Sequence, residues 1–280
     1  MVYYIANTQT SKVEVLLRNP INKPLAAFAT LAAGLSLSGC DFEINVDSGD
    51  GVPLSELEIN GAAPDSLALA APDTVIITEG DTLEITIDGS EEAQEDLRFE
   101  LDGDDLEIYR DGSWDGNDYA TINVTMPIPR DLAIGGSGTI ETPSMADNAA
   151  IAIGGSGSVS IAQLDSNSLD VAIGGSGDVT AAGTTDRLDI AVGGSGDVQF
   201  AGVTADDVEI AIGGSGSVAL ASNGSVDASI AGSGDITVTG TATCTVSAVG
   251  SGTLTCRPAA EEEVTSEDVD TEEAASDDNE

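Results

Sequence analysis

A Gly-Ser-Gly turn recurs seven times in the second half of the sequence at a nearly constant spacing. A repeat of this length is typical of one coil of a solenoid, because a single unit cannot bury its own apolar face and must stack on its neighbours. The period therefore predicts a repeat architecture, with the regular coils over residues 131–258. The turn serines are Ser137, Ser156, Ser176, Ser195, Ser215, Ser233 and Ser251, in steps of 19, 20, 19, 20, 18 and 18 residues.

Aligning the coils on the turn serine shows which positions are buried. Apolar residues recur three residues after the serine and three and five residues before it, as Val198, Val192 and Ile190 do around Ser195. Alternation with a period of two on both sides of a glycine turn indicates two half-buried strands per coil. We therefore expect an all-β fold, a β-solenoid (parallel β-helix) of about seven regular coils of 18–20 residues with an irregular β region at its amino end.

The positions between the buried columns are small or acidic. We expect the turn glycines to adopt positive φ and to let neighbouring turns stack about 4.8 Å apart without Cβ clashes. One acidic column holds Asp170, Asp189, Glu209 and Asp227, and a second holds Asp178, Asp197 and Asp235.

Two other repeat architectures are weaker alternatives. A hexapeptide left-handed helix needs an aliphatic residue every six positions, whereas the inward spacing here runs 2, 2, 6 and 2. A calcium-binding nonapeptide roll has a glycine turn about every nine residues. The half-turn glycines of that roll are missing from this sequence.

The amino terminus contains an apolar run that ends in a cysteine. An apolar run of fourteen residues, Leu25–Ser38, is short for a bilayer span and has the size of a signal-peptide core. It ends in Leu37-Ser38-Gly39-Cys40, which resembles the lipobox. The resemblance implies that residues 1–39 are the signal peptide and that Cys40 becomes the lipidated first residue. The alternative is a buried apolar segment with an incidental cysteine.

Two details of this region bear on its processing and destination. The charged segment before the apolar run is unusually long, so the true start is expected near Leu17. Asp41 directly after the cysteine resembles the inner-membrane retention signal of some Gram-negative lipoproteins. We expect a lipid-anchored location in the bacterial cell envelope, at the periplasmic face or the cell surface, with the choice of membrane left open.

The remaining two cysteines, Cys244 and Cys256, fall in the last coil. They lie seven residues before and five residues after Ser251, at positions that the alternation places inward. An oxidising envelope favours a disulfide across the interior of this coil. Such a bridge would stabilise the fold by about 3 kcal/mol in the chain-entropy model. The alternative is a pair of buried free thiols.

Composition excludes several classes of function. Beyond Cys40 the sequence has no lysine, no histidine and five arginines against 49 acidic residues, a net charge of −44. Without histidine there is no imidazole base, no Ser-His or Cys-His nucleophile pair and no histidine-bound zinc. Phosphate backbones and anionic lipid surfaces would be repelled. We therefore expect no nucleic-acid partner, and membrane contact only through the N-terminal lipid anchor.

The chain is expected to contain four segments. Residues 1–39 are the signal peptide, 40–51 an acidic tether, 52–258 the solenoid domain and 259–280 a disordered acidic tail with eleven acidic residues in its final twenty. Within residues 52–130, alternating stretches predict irregular first coils that cap the amino end. These stretches are Thr74–Thr78, Thr82–Ile87, Leu97–Leu101, Leu106–Arg110 and Thr121–Met126.

Four sequence motifs follow one another between about Val52 and Cys256. They are LEING…DTVIITEGDTLEITID, DLRFELDGDDLEIYR, INVTMPIPRDLAIGGSG and the repeated L-x-I-x-I/V-G-G-S-G-D-V. In this order they resemble the bacterial "putative auto-transporter adhesin, head GIN domain" family. The resemblance implies an exported, often lipid-anchored β-solenoid, and it carries no catalytic residues. The transmembrane strands and aromatic girdles of an autotransporter barrel are not found in the sequence, which has nine aromatic residues.

One short motif is a weak candidate for calcium binding. Asp111, Ser113, Asp115 and Asn117 alternate as in the first half of a calcium loop, with Gly116 at the turn. The closing acidic ligand is missing, because Ile122 stands at that position. A polar turn between strands explains the same residues. Trp114 lies in this turn, where it either packs on the cap or contacts a ligand.

Three functional classes remain, and we favour the first. It is a lipid-anchored, non-enzymatic envelope module with an adhesin-like or structural binding role towards an unknown envelope or extracellular ligand. The second is a calcium-dependent adhesion or stability module. The third is a polysaccharide-degrading β-helix enzyme, which needs a base with cationic groups, or paired carboxylates in a groove. Arg187 is the sole basic residue between Asp131 and Arg257, which disfavours a lyase.

Overall fold

The computed structural model describes residues 51–111 and 118–258 of the 280-residue chain. The predicted signal peptide, Cys40, most of the tether, the acidic tail and residues 112–117 lie outside the described residues. The strands are β1 (Ser66–Ala70), β2 (Thr74–Glu79), β3 (Glu84–Asp88), β4 (Leu97–Asp102), β5 (Asp105–Arg110), β6 (Thr121–Met126), β7 (Asp131–Ile134), β8 (Thr139–Thr142), β9 (Asn148–Ile153), β10 (Ser158–Ile173), β11 (Asp178–Val192), β12 (Asp197–Ile212), β13 (Ser217–Gly232), β14 (Asp235–Thr239), β15 (Thr243–Gly250) and β16 (Thr253–Arg257). A 3-10 turn at Leu54–Glu56 and a short helix α1 (Glu91–Glu95) complete the described elements.

These strands wind into a parallel β-solenoid, as the repeat predicted. The segments that lead into the Gly-Ser-Gly turns form one face, here called the entry face, which runs β5-β1-β7-β9, continues through the second halves of β10 to β13 and ends at β15. The segments that follow the turns form the exit face, which runs β6-β2-β8, continues through the first halves of β10 to β13 and ends at β14 and β16. The four long strands bend between the faces, where the pairing register shifts.

The amino end contains two irregular coils, and their spatial order differs from their order in the chain. The coil made by β1 and β2 comes first in the sequence but lies between the coil of β5 and β6 and the first regular coil. Two antiparallel strands close this end, β4 on β5 and β3 on β6. The five predicted strands of this region are confirmed within two residues, whereas β1 and α1 were not predicted.

A buried ion pair ties the irregular coils to the closing segment. The guanidinium of Arg110 donates to both carboxylate oxygens of Asp73 at 2.6 and 2.7 Å and to the carbonyl of Ala93 in α1 at 3.0 Å. Asp73 also accepts the backbone N–H of Ala120 at 2.7 Å. Because each charge is buried against its partner, removal of either side chain would leave an uncompensated charge inside the fold.

The core is continuous along the solenoid and consists of the columns that the sequence predicted. Around one turn, Ile190, Val192 and Val198 are at most 3 % exposed, and Phe200 on the exit face is fully buried. In every coil, the apolar side chains at these positions are removed from contact with water. Burial of this kind is the dominant favourable term in folding.

The expectation that the turn glycines all adopt positive φ was wrong. Among the glycines preceding the turn serines, Gly232 and Gly250 have φ of +141° and +130°, and the others lie outside the left-handed region. The expectation that glycine avoids Cβ clashes between stacked turns is confirmed, because a Cβ on Gly175 or Gly194 would overlap the carbonyl oxygen of the glycine one coil back. Close approach between coils therefore selects glycine at this position.

A disulfide joins Cys244 in β15 to Cys256 in β16, as predicted. It links the entry and exit faces across the last coil. Cys244 is partly buried and Cys256 is exposed, because no further coil of the described chain covers this end. The bridge therefore holds together the two strands that would otherwise be free to separate at the end of the solenoid.

The inward and outward assignment predicts opposite effects at two adjacent positions. Ile190→Asp should unfold the solenoid, because a carboxylate at a 3 % exposed site costs several kcal/mol. Asp189→Ser, one residue away on the surface, should change the free energy of unfolding by less than about 1 kcal/mol. Chemical denaturation of both variants measures the difference, and equal destabilisation would contradict the assignment.

Candidate functional site: an acidic ladder along the entry face

The predicted acidic column is a ladder of directly paired positions. Asp170 is in register with Asp189, Asp189 with Glu209, and Glu209 with Asp227. Adjacent coils of a parallel sheet lie about 4.8 Å apart, so these carboxylates repel one another along the rod. The ladder is a surface feature, since each member alternates with a buried aliphatic residue of the same strand.

The same register continues to the amino end of the molecule, which the sequence did not reveal. Asp170 pairs with Ala150, Ala150 with Asp131, Asp131 with Ser66, and Ser66 with Asp105. The acidic ladder therefore consists of Asp105, Asp131, Asp170, Asp189, Glu209 and Asp227 on the entry face. Asp131 could have been found from its position six residues before Ser137. Asp105 could not, because its coil lacks the turn motif.

Arg187 is placed to offset part of this repulsion. Its guanidinium makes two contacts with the carboxylate of Asp189, at 3.0 and 3.2 Å. It also lies 3.6 Å from Asp207 and 3.8 Å from Glu209 in the next coil. One exposed arginine thus faces three carboxylates of two coils, and because it is half exposed its effect depends on salt.

The second acidic column, on the exit face, is relieved by hydrogen bonds between coils. Asp197 accepts the hydroxyl of Ser217 at 2.6 Å and its backbone N–H at 3.0 Å. Asp235 likewise accepts the hydroxyl of Thr253 at 2.6 Å. A hydroxyl in the following coil therefore turns a repulsive position into an attractive one.

Burial perturbs the carboxylates at the amino end of the acidic ladder. Desolvation raises the pKa of Asp131 to about 6, and the neighbouring Arg130 and a hydrogen bond from Ser66 counteract part of this rise. Desolvation also raises the pKa of Asp105, and that of Asp170, to which the charge of Asp189 contributes. The ladder is therefore protonated more readily at this end than a surface carboxylate would be.

The calcium candidates are described only in part. Asp111 forms an ion pair with Arg98 at 3.0 Å, while Ser113, Asp115 and Asn117 lie outside the described residues. Within residues 51–111 and 118–258, no group of three or more His, Cys, Asp or Glu side chains is arranged to hold a metal ion. Calcium binding at this turn stays a prediction.

The membrane predictions also concern the undescribed amino terminus. Cys40 and the apolar run before it lie outside the described residues. In the part of the chain that the structure covers, no helix has the length and apolar character needed to cross a membrane.

The sequence that forms this solenoid matches the profile of a known protein family. The sequence profile described as "Putative auto-transporter adhesin, head GIN domain" matches residues 63–242. The chain belongs to this family. The match is shorter than the resemblance seen in the sequence, since it ends before β15 and β16. Membership of this adhesin-like family points to the cell envelope or cell surface.

Solved structures share the fold of this family member at low sequence identity. A putative adhesin from Bacteroides fragilis NCTC 9343 has a TM-score of 0.62 and 21% identity, over 70% of this chain and 93% of its own. A putative lipid binding protein from Parabacteroides distasonis ATCC 8503 has a TM-score of 0.56 and 22% identity, over 71% of this chain and 94% of its own. A putative adhesin from Parabacteroides merdae ATCC 43184 has a TM-score of 0.54 and 17% identity, over 70% of this chain and 92% of its own. No curated protein matches the sequence.

Repulsion along the acidic ladder predicts that monovalent salt stabilises the fold. The melting temperature should rise from low salt to about 0.5 M NaCl, since the screening length is already about 10 Å at 0.1 M. Arg187→Gln should enlarge this rise because it removes the cation facing three carboxylates. Arg257→Gln, in a coil without acidic residues, is the matched control and should leave the rise unchanged. A rise seen with calcium and not with NaCl would contradict this account.

The raised pKa of Asp131 predicts a specific pH dependence. Its folded-state pKa of about 6 exceeds the usual 3.8, so ionisation destabilises the fold. This penalty is absent below pH 3.8, grows as the pH rises to about 6, and is complete above it. Asp131→Asn should therefore be more stable than the wild type at pH 7.5, by about 1–3 kcal/mol at 1.36 kcal/mol per pKa unit.

The difference in unfolding free energy between the wild type and Asp131→Asn isolates the ionisation of Asp131. The many other carboxylates affect both proteins alike, so the stability gain of Asp131→Asn should shrink towards zero as the pH falls to about 4. Urea denaturation across this pH range measures the difference. Parallel stability curves would show that Asp131 ionises normally.

Proposed function

We propose that this family member is a lipid-anchored, non-enzymatic module of the cell envelope with an adhesin-like or structural binding role. The observation that carries the proposal is the lipobox-like sequence Leu37-Ser38-Gly39-Cys40, which a short acidic tether connects to the acidic solenoid. A diacylglycerol group on Cys40 would supply the membrane affinity that a chain of this charge cannot obtain from anionic headgroups.

The position of the chain entry supports an upright rod. Val52 and Phe99 exchange backbone hydrogen bonds at 2.8 and 2.9 Å, and Gly51 donates its backbone N–H to the hydroxyl of Tyr109. These contacts lie at the closed amino end, beside β4 and β5. A tether from Cys40 would therefore reach the rod at this end. Nine coils, two irregular and seven regular, would extend the other end about 40 Å away.

The acidic ladder defines the chemistry of a binding partner. Its exposed carboxylates favour cationic surfaces and disfavour nucleic acids and anionic polymers, because long-range electrostatics steers encounter by charge complementarity. Relatives of this fold are described as putative adhesins and, in one case, as a putative lipid binding protein. We assign the contact role to the ladder face, since Asp170, Asp189, Glu209 and Asp227 stand in direct register over four consecutive coils.

The anchor is tested by one substitution with a matched control. Cys40→Ser should leave an unprocessed precursor and abolish partition of the mature protein into the detergent phase of a two-phase extraction. The double variant Cys244→Ser and Cys256→Ser also loses cysteine side chains, but those of the disulfide, and should still partition into detergent. A mature, water-soluble protein that retains an unmodified Cys40 would refute the anchor.

The contact role of the acidic ladder is tested with cells that display the protein on their surface. Asp189→Asn, Glu209→Gln and Asp227→Asn together neutralise the exposed part of the acidic ladder with side chains of nearly the same shape. This triple variant should bind amine-coated beads less well than the wild type at equal surface amounts, because three negative charges of the contact face are removed. Equal bead binding would refute the ladder as the contact surface and leave the anchor untouched.

A further inference from the structure

The two ends of the solenoid differ in how their backbones are paired. At the amino end, antiparallel β4 and β3 close the two faces. At the carboxyl end, β15 pairs with β13 and β16 pairs with β14, and within the described residues neither has a strand on its other side. Unpaired edge strands of this kind are templates for pairing with another chain.

Apolar side chains that are buried in every earlier coil are exposed at this edge. Val246 is 47 % exposed, whereas Ile210 and Ala228, at the same position in earlier coils, are 1 % and 5 % exposed. Val249 is 70 % exposed and stands where most coils have glycine. The last coil thus presents the cross-section of the solenoid core to its surroundings.

The same coil carries no negative charge. Residues 236–258 contain no Asp or Glu, in a chain of net charge −42. Both acidic columns stop one coil before the end, since Asp227 pairs with Thr245 and Asp235 pairs with Thr253. The repulsion that acts between coils elsewhere is therefore absent at this edge.

We propose that this edge pairs with the same edge of a second copy of the chain. A two-fold axis perpendicular to the entry face sets β15 antiparallel to the partner's β15 and β16 antiparallel to the partner's β16, which continues both faces and covers Val246. The Cys244–Cys256 disulfide keeps the two strands together as one preformed surface. Such an isologous contact closes at two copies and does not form fibres.

The distribution of charge favours a second copy of the chain as the partner, and the carboxyl end as the surface at which it pairs. Across the contact, the nearest carboxylates of the described part of each copy are separated by about three coil spacings, or about 14 Å along the rod axis. This distance exceeds the screening length of about 8 Å at physiological ionic strength. The amino end could not pair in this way, because its outer strands carry Glu84, Asp88 and Asp102.

The acidic tail sets the strength of this pairing. Residues 259–280 follow the last coil directly and contain eleven acidic and no basic residues. Two tails start at the same contact and repel each other, so pairing strengthens when salt screens them or when they are removed. Where the amino ends are lipid-anchored, which rests on the proposed function, the pair carries its two anchors at opposite ends and can bridge two membranes.

Sedimentation equilibrium of the full chain in density-matched non-ionic detergent tests the pairing, and it does not depend on lipidation. A version that ends at Pro258 should dimerise about tenfold more tightly than the full chain in low salt, a change of about 1.4 kcal/mol. This difference should narrow at about 1 M NaCl, where the screening length is about 3 Å. A shortened chain that stays monomeric at every salt concentration would overturn the proposal.

A charge placed on the edge separates this contact from any other. Thr255→Glu introduces a carboxylate on the exposed face of β16 and should weaken dimerisation about tenfold in the shortened chain. Gln199→Glu adds the same charge at the same column of an interior coil and should leave dimerisation unchanged. Thermal melting of both variants verifies that they are folded. Equal dimerisation of the two variants would show that the copies meet at another surface.

Discussion

In-register stacking of equivalent positions is the constraint on which the rest of this structure depends. The backbone N–H of Ser195 donates to the carbonyl of Gly175 at 2.9 Å, and the turn serines of the other stacked coils repeat this bond to within 0.1 Å. The bond brings successive turns so close that a side chain on the glycine would overlap the coil before it. Every column of the solenoid inherits this register, so each position along a coil meets its own equivalent.

Stacking like on like rewards apolar columns and penalises charged ones. Inward, it joins the aliphatic columns into one continuous core. Outward, it brings carboxylates into direct register, and the chain offsets the repulsion by different means in different places. Arg187 faces Asp189 and Glu209 of the acidic ladder and the adjacent Asp207, Ala150 and Ser66 interrupt the ladder, and Ser217 donates to Asp197 on the exit face. These neighbours are the basis for the salt and pH dependence that we expect of the fold.

A stack of this kind must also end, and its two ends suit different tasks. The amino end is closed by antiparallel strands and by the buried pair of Arg110 and Asp73, and it receives the chain from the membrane side in the proposed arrangement. The carboxyl end is open, carries no acidic residue in its last coil and is held by a disulfide. In the proposed arrangement, the closed end is therefore the anchored one, and the open end is the one available to a second copy of the chain.

The sequence by itself determined the solenoid, its inward columns, the disulfide pair and the acidic column from Asp170 to Asp227, because a repeat of about nineteen residues places each of these by counting from the turn serine. Only the tertiary structure decided the arrangement of the amino end. There β1 lies between β5 and β7, and this order brings Asp105 into the ladder and buries Asp131 enough to raise its pKa. The pairings of β1 join residues up to 65 positions apart, and the coils of β1 and β5 lack the turn motif, so no period in the sequence specifies them.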